Sequence, residues 1–240
     1  MRTRIRHGLA AALAVSALSL TAACGGGDAK DDAKKDKPAD KPAAEQTTSA
    51  APAVPLTAAQ MKAGVLELKD LPTGWKTTKH EDEKTVYKVD KPACEPFAVM
   101  VAGDIAGATK GATADFAVGN NDSEITEEIV TFPGTGAADF TKKLATALDS
   151  CTGFTVEAEG EKMKMSVTKR TAPQGAEEAL AFGLALEVSP GVKVEPNIVV
   201  ARQGTGVMRM LYLSDPATTK KDFDALAKLA ADKFVKGAQS

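Results

Sequence analysis

The N-terminal segment decides the compartment in which the rest of the chain folds. Positive charge comes first, from Arg2, Arg4 and Arg6, and an uncharged run of Ala, Leu, Val and Ser follows from Gly8 to Leu20. This run has about 13 residues, whereas a membrane-spanning helix needs roughly 20. The small residues Thr21-Ala22-Ala23 then complete the pattern of a signal peptide over residues 1–23.

The stretch Leu20-Thr21-Ala22-Ala23-Cys24 resembles the lipobox of bacterial lipoproteins. Lipoboxes most often carry Leu where Thr21 stands, and cleavage after Ala23 by the ordinary secretory peptidase is the alternative, which would free the protein. The glycines Gly25 to Gly27 favour the lipoprotein, because a small flexible spacer commonly follows the lipidated cysteine. The resemblance implies a diacylglyceryl group on Cys24, with palmitate-type acyl chains that contribute about 0.8 kcal/mol per buried methylene. It predicts anchoring to the outer face of the cell membrane.

Residues 24–55 predict a disordered tether. They consist mainly of Ala, Lys, Asp, Pro and Thr and contain almost no large apolar side chain. Such a composition buries too little surface to offset the entropy lost on ordering. Its acidic and basic residues are mixed, so we expect a spacer, partly stiffened by prolines, that lifts a domain off the membrane.

The remaining residues, 56–237, are enough for one domain with a single sizeable core. Thr57-Ala58-Ala59-Gln60 is a capping-box sequence that predicts a helix with Met61, Val65 and Leu68 on one face. Apolar residues at helical spacing also predict a middle helix, in which Cys151 is buried, and a long C-terminal helix. Their faces are Phe140, Leu144, Ala147, Leu148 and Cys151, and Phe223, Leu226, Ala227, Ala230 and Phe234.

Strand patterns fill the rest of this domain. Apolar and polar residues alternate over Phe154 to Ala158 and Met163 to Val167, which predicts a hairpin with one solvent-exposed face. The alternation slips at Glu127-Glu128, which favours a β-bulge there. Hairpin-length links dominate, so we expect an α+β fold with a mainly antiparallel sheet of about six to seven strands and three packed helices.

Trp75 is the only tryptophan of the 240-residue chain and follows the turn sequence Pro72-Thr73-Gly74. A tryptophan just after a turn is more often an anchor of the hydrophobic core than a surface on which a ligand stacks. The sequence leaves both roles open and favours the core anchor.

The cysteine count predicts one disulfide. The chain has three cysteines, and if Cys24 is lipidated, Cys94 and Cys151 remain in an exported domain. Two buried free thiols are the competing interpretation.

Residues that carry catalysis are scarce in this sequence. Only His80 remains once His7 leaves with the signal peptide, and no Walker A, metal-ligand or nucleophile-elbow motif occurs. Ser166-Val167-Thr168-Lys169 fits the S-x-x-K motif of penicillin-binding proteins, but an alternating strand would place Ser166 and Lys169 on opposite faces. We expect no catalytic residue, no cofactor and no metal site. The net charge of −2 also gives no basic surface for nucleic acid.

The lipobox, the tether, the helix leading into Asp70-Leu71-Pro72-Thr73-Gly74-Trp75 and the Cys94 and Cys151 pair together resemble small lipoproteins of high-GC Gram-positive bacteria. They are also similar to the extracellular sensor domain of PknH-type serine/threonine kinases. The resemblance implies an antiparallel sheet with packed helices and a cleft of unknown ligand, without demonstrated catalysis. The kinase domain carries a second disulfide, for which this chain has no cysteines. Mog1/PsbP-like lipoproteins share the same class of layout.

These features predict a non-catalytic, lipid-anchored domain that binds a ligand or a partner protein at the cell envelope. The alternatives are a cell-envelope hydrolase with a carboxylate pair outside known motifs, and a structural or chaperone-like lipoprotein. A deep polar cleft with two facing carboxylates would favour the hydrolase, and an apolar cleft would favour binding.

The anchor can be tested by Cys24→Ser. We expect this variant to leave the membrane fraction for the medium, or to stay unprocessed, because no sulfur remains to accept the diacylglyceryl group. Fractionation of cells followed by immunoblotting measures this. A wild-type protein found in the medium, or a processed variant found in the membrane, would refute the anchor.

Overall fold

The computed structural model describes residues 53–79, 86–119, 122–158, 160–189, 192–214 and 220–240. The predicted signal peptide, Cys24, residues 24–52 of the tether and His80 lie outside these ranges. No helix within them is both long enough and apolar enough to cross a membrane.

The fold is α+β, as predicted, and is built on one antiparallel sheet. In the described part of the chain the sheet has ten strands in the order β1-β3-β4-β10-β9-β7-β6-β5-β2, with β8 paired to β7. The strands are β1 Lys76–Thr77, β2 Lys88–Val89, β3 Thr109–Val118, β4 Ser123–Thr131, β5 Gly153–Ala158, β6 Glu161–Arg170, β7 Glu178–Ser189, β8 Val192–Val194, β9 Asn197–Gln203 and β10 Gly206–Ser214. The strands beyond the predicted six to seven include β1, β2 and β8, which are too short to give an alternating pattern.

Four α-helices within the described ranges cover the sheet from both sides. They are α1 Ala58–Gly64, α2 Glu95–Ala102, α3 Gly136–Ser150 and α4 Lys220–Ala238. The side chains of α1 and α4 pack on one face with those of β4, β9 and β10, and those of α2 and α3 pack on the other. The predicted faces of α3 and α4 are confirmed, with Leu144, Phe223 and Phe234 at most 1% exposed. The β5–β6 hairpin has the predicted wet face, since every second residue of β5 is buried.

Helix α1 begins as predicted but ends early. Thr57 accepts a hydrogen bond from the Gln60 amide, and Gln60 reaches back to the Thr57 amide, which completes the capping box. The expectation that Leu68 continues the buried face is wrong, because the helix stops at Gly64 and Leu68 is 42% exposed. A Cβ on Gly237 of α4 would lie 2.3 Å from the Gly64 nitrogen, so α1 and α4 cross at van der Waals contact. Beyond Gly64 the chain extends towards the sheet instead of continuing along the helix.

The predicted bulge at Glu127-Glu128 is also wrong. Strand β4 runs without interruption, and the extra residue is Gly111 in β3, where the register shifts between Lys110 and Ala112. Glu127 and Glu128 lie on opposite faces of the sheet and are both buried, with exposures of 0% and 3%. Because helices cover both faces, β4 does not need to alternate between apolar and polar residues.

Glu128 forms a buried ion pair that holds α2. The guanidinium of Arg209, directly across the β4–β10 ladder, donates to the Glu128 carboxylate at 2.8 Å. The same guanidinium donates to the carbonyl oxygens of Val99, Met100 and Gly103 at the C-terminal end of α2. These carbonyls lack partners within the helix, so one arginine satisfies them and neutralises Glu128.

The other end of α2 is held by a disulfide. Cys94, which precedes α2, is bonded to Cys151, which follows α3, with a Cα–Cα distance of 5.7 Å. Both cysteines are buried, at 1% and 3% exposure. The disulfide therefore ties together the two helices that cover one face of the sheet.

Removal of this bond by Cys94→Ala with Cys151→Ala should lower the free energy of unfolding by about 2–5 kcal/mol, because the unfolded chain regains the freedom of a long loop. Thermal unfolding of both proteins measures the difference. Peptide mapping without reductant is the direct control: two free thiols in the exported protein would contradict the disulfide.

Candidate functional site

Trp75 forms one wall of a small pocket. Gly74 turns the chain with a φ of 109°, a conformation open to glycine, and this turn directs Trp75 onto the face of the sheet that α4 covers. The indole is half-buried, so part of it contacts the core and part of it faces the pocket. The pocket has a volume of about 270 Å³ and is lined by Pro72, Trp75, Val118, Ser123, Tyr212, Asp222, Ala225 and Leu226.

Two buried hydroxyl groups belong to this lining. The Tyr212 hydroxyl donates to Ser123 Oγ at 3.4 Å, which is long for an O–H···O bond. The two residues are 2% and 4% exposed, and Tyr212 is held in place by stacking on Phe223. The hydroxyl proton of Ser123 has no acceptor among the described residues. A ligand with a hydrogen-bond acceptor would therefore find a free donor on Ser123.

The rest of the lining is chemically simple. Pro72, Val118, Ala225 and Leu226 are apolar, and Asp222 is the single carboxylate that contributes to the lining. Apolar walls with a few oriented polar groups are the common design of small-molecule sites, although this volume is at the lower end of their range. The pocket suits an apolar, ring-sized group with one polar end.

The Trp75 wall is the end of a longer segment, residues Leu66–Trp75, which contains a 3-10 helical turn at Leu68–Asp70 and which we name the strap. Its first residue, Leu66, donates its backbone N–H to Oε2 of Glu127 at 2.7 Å. Further along, Asp70 and Glu67 both form ion pairs with Lys233 of α4. These contacts fix the strap on the sheet and on α4.

The carboxyl groups around the strap differ in burial, and their pKa values shift in different directions. Burial raises the pKa of Glu127 to about 8, against the opposing effect of the Leu66 N–H. The exposed Glu67 has its pKa lowered to about 2 by hydrogen bonds from Lys69 and Lys233. Burial is the largest single effect on Asp70 and raises its pKa, but the hydrogen bonds from Lys233 and from the Glu67 N–H and the charge of Lys233 together outweigh it, so that pKa is also lowered. Among these carboxyl groups only Glu127 is set to change its charge near neutral pH.

A second cleft lies on the opposite face of the sheet. It is an open groove of about 720 Å³ between α3 and the start of α2, lined by Pro92, Ala93, Glu95, Pro96, Asp139, Lys142, Lys143, Thr146, Ala147 and Ser150. The disulfide and Arg209 hold α2, which forms one wall. The charged side chains of the groove include Lys142 and Lys143, which have no partner among the described residues, and the acidic Glu95 and Asp139. Mixed charge and an open shape suit a protein surface better than a small molecule.

The residues that the sequence singled out fall into separate places. Cys94 and Cys151 meet in the buried core beside α2 and α3, whereas Cys24 and His80 lie outside the described residues. Ser166 pairs with Ala185 on the exposed part of the sheet, and Lys169 forms an ion pair with Asp149 of α3 at 2.6 Å on the other face. The described ranges contain no cluster of three or more His, Cys, Asp or Glu side chains that could hold a metal ion.

Of the residues that line the pocket, the sequence singles out Trp75 but not its neighbours. Ser123, Tyr212 and Asp222 come from β4, β10 and α4, and no spacing along the chain relates them. Trp75 packs partly against the core, as the favoured interpretation expects, and also contributes to the lining of the pocket.

Comparison with solved structures identifies the fold of this chain. The sequence matches no protein-family model and no curated protein. The structure is similar to the extracellular domain of PknH from Mycobacterium tuberculosis, with a TM-score of 0.55 and 16% identity over 78% of this chain and 98% of that chain. A protein of Mycobacterium smegmatis described as an Rv0999 orthologue matches with a TM-score of 0.42 and 10% identity, over 77% of this chain and 98% of that chain. The chain therefore shares the fold of the PknH extracellular domain.

Proposed function

We propose that this protein is a lipid-anchored extracytoplasmic domain that binds a small ligand in the Trp75 pocket without converting it chemically. The observation that carries the proposal is the pocket itself, where a half-buried indole faces apolar walls and a buried hydroxyl with a free proton. The ligand class that fits is an apolar, ring-sized molecule with one hydrogen-bond acceptor.

The cellular location is supported by independent features. The signal-peptide pattern and the lipobox predict export, and a disulfide between Cys94 and Cys151 suits an oxidising compartment. The fold is that of the extracellular domain of a mycobacterial protein, PknH. Fold alone does not carry function, so this likeness supports only a similar sensor-like use.

Binding fits the pocket better than hydrolysis does. A hydrolase with a carboxylate pair needs two carboxyl groups that face one space, and Asp222 is the one carboxylate in the pocket lining. The neighbouring buried carboxyl groups of Glu127 and Glu128 point to opposite faces of the sheet. Docking of a partner protein is the second candidate, favoured by the open groove between α2 and α3 and by Lys142 and Lys143, which have no partner in the described part of the chain.

The single tryptophan gives a direct test of the pocket. A library of small aromatic compounds should contain members that change the Trp75 fluorescence saturably, because a bound ring would contact the indole. Ala225→Phe should fill the pocket and weaken that binding by about 1.4 kcal/mol or more, which is tenfold in affinity. Fluorescence titration measures both effects.

A matched control is Ala145→Phe, which adds the same ring to α3 on the other side of the sheet. Its affinity should equal that of the wild-type protein. The small-ligand proposal fails if no compound gives a saturable change, or if Ala225→Phe binds as well as Ala145→Phe.

A further inference from the structure

The buried carboxyl group of Glu127 lies beneath the strap whose far end forms the Trp75 wall. Its Oε2 accepts the Leu66 N–H at 2.7 Å, while Oε1 has no hydrogen-bond partner among the described residues. Glu127 is 0% exposed and Leu66 is 2% exposed. A carboxyl group in this position is half-satisfied and is sealed from water by the strap.

The charged groups that face Glu127 do not neutralise it. Lys233 of α4 attracts the carboxylate, but its ammonium group is already paired with Asp70 and Glu67. Asp70 repels the carboxylate. The neighbouring strands add no charge, because the residues opposite Glu127 are Ala114 on β3 and Met210 on β10. Glu128 and its partner Arg209 lie on the other face of the sheet.

We propose that Glu127 is a proton-dependent switch that holds the strap, residues Leu66–Trp75, closed on the sheet when protonated and releases it when ionised. Opening of the strap would move Pro72 and Trp75 and so dismantle one wall of the pocket. The consequence for ligand binding rests on the proposed function, whereas the movement of the strap does not.

The direction follows from the cost of burying a charge. A neutral carboxyl group is tolerated in this apolar surrounding, and its Oε2 still accepts the Leu66 N–H. An ionised one has an unpartnered oxygen and, among the described residues, no free cation nearby, so it requires water. The strap is the segment that would move to admit water, because Leu66 donates its N–H directly to Glu127.

The pH range follows from the raised pKa. In the unfolded chain Glu127 titrates near 4.5, and in the folded protein near 8. The folded state therefore binds more protons between these values, and stability that is fully present below about pH 4.5 is lost as pH rises towards about 8. Local opening of the strap relieves the same cost without global unfolding.

Acrylamide quenching of Trp75 measures strap opening without any ligand. The full-length protein should show a quenching constant that rises about twofold or more between about pH 6 and 9, with its midpoint near 8. Tyrosine ionises near pH 10, outside this range. Glu127→Gln should keep the low value throughout, because its amide oxygen accepts the Leu66 N–H and its side chain has no charge to gain.

The control is Glu124→Gln, the same change three residues earlier on β4 at a partly exposed position. It should titrate like the wild-type protein. A flat wild-type profile, or an equal rise in Glu127→Gln, would overturn the switch.

Hydrogen exchange read by mass spectrometry covers the case in which Glu127→Gln folds poorly. In the wild-type protein, protection of peptides from Leu66–Trp75 should fall above about pH 8, after correction for intrinsic rates, while that of α3 stays constant. Equal loss in α3 would refute a local switch. Strap opening without any ligand binding would leave this proposal standing and refute the proposed function instead.

Discussion

The pairing of β4 with β10 is the contact on which the rest of this structure depends. It joins residues about 80 positions apart along the chain and brings the N-terminal strands next to the C-terminal ones. One ladder sets Ser123 near Tyr212 in the pocket, places Glu127 under the strap and pairs Glu128 with Arg209. At its far end Thr131 accepts the Leu56 N–H and bonds to Thr205, so the chain enters the domain there. A slip of one residue would exchange the two faces and separate all of these pairs.

The two faces of the sheet have different constraints. On the face of α2 and α3, a disulfide and a buried arginine fix both ends of α2, so the groove there has rigid walls. On the other face, the strap that ends at Trp75 is held by the buried side chains of Leu66 and Leu71, by one hydrogen bond to a carboxyl group and by ion pairs of Lys233. The proposed release of the strap would therefore change the face that carries the Trp75 pocket and leave the groove on the other face intact.

The sequence predicted what depends on local pattern. The capping box at Thr57, the faces of α3 and α4 and the β5–β6 hairpin follow from spacing, and the α+β class follows from short links between strands. It failed where a distant group decides the local structure. Leu66 gives its N–H to Glu127 instead of to the helix, which ends α1 before Leu68, and this partner lies 61 positions away along the chain. Glu127 and Glu128 interrupt the apolar–polar alternation of β4 as a bulge would, because each is buried against a partner on another element.

In the candidate site, too, the sequence predicts what is local and misses what depends on distant contacts. Trp75 stands out in the sequence because it is unique and follows a turn, whereas Ser123, Tyr212 and Asp222 are ordinary residues until the β4–β10 register and α4 bring them to the indole.

Crystallographic screening of the mature protein with small aromatic fragments tests most directly whether the Trp75 pocket binds a small ligand. We expect fragments seated against Trp75 with a hydrogen bond to Ser123; fragments that gather in the groove between α2 and α3 while the Trp75 pocket stays empty would contradict a ligand site at Trp75.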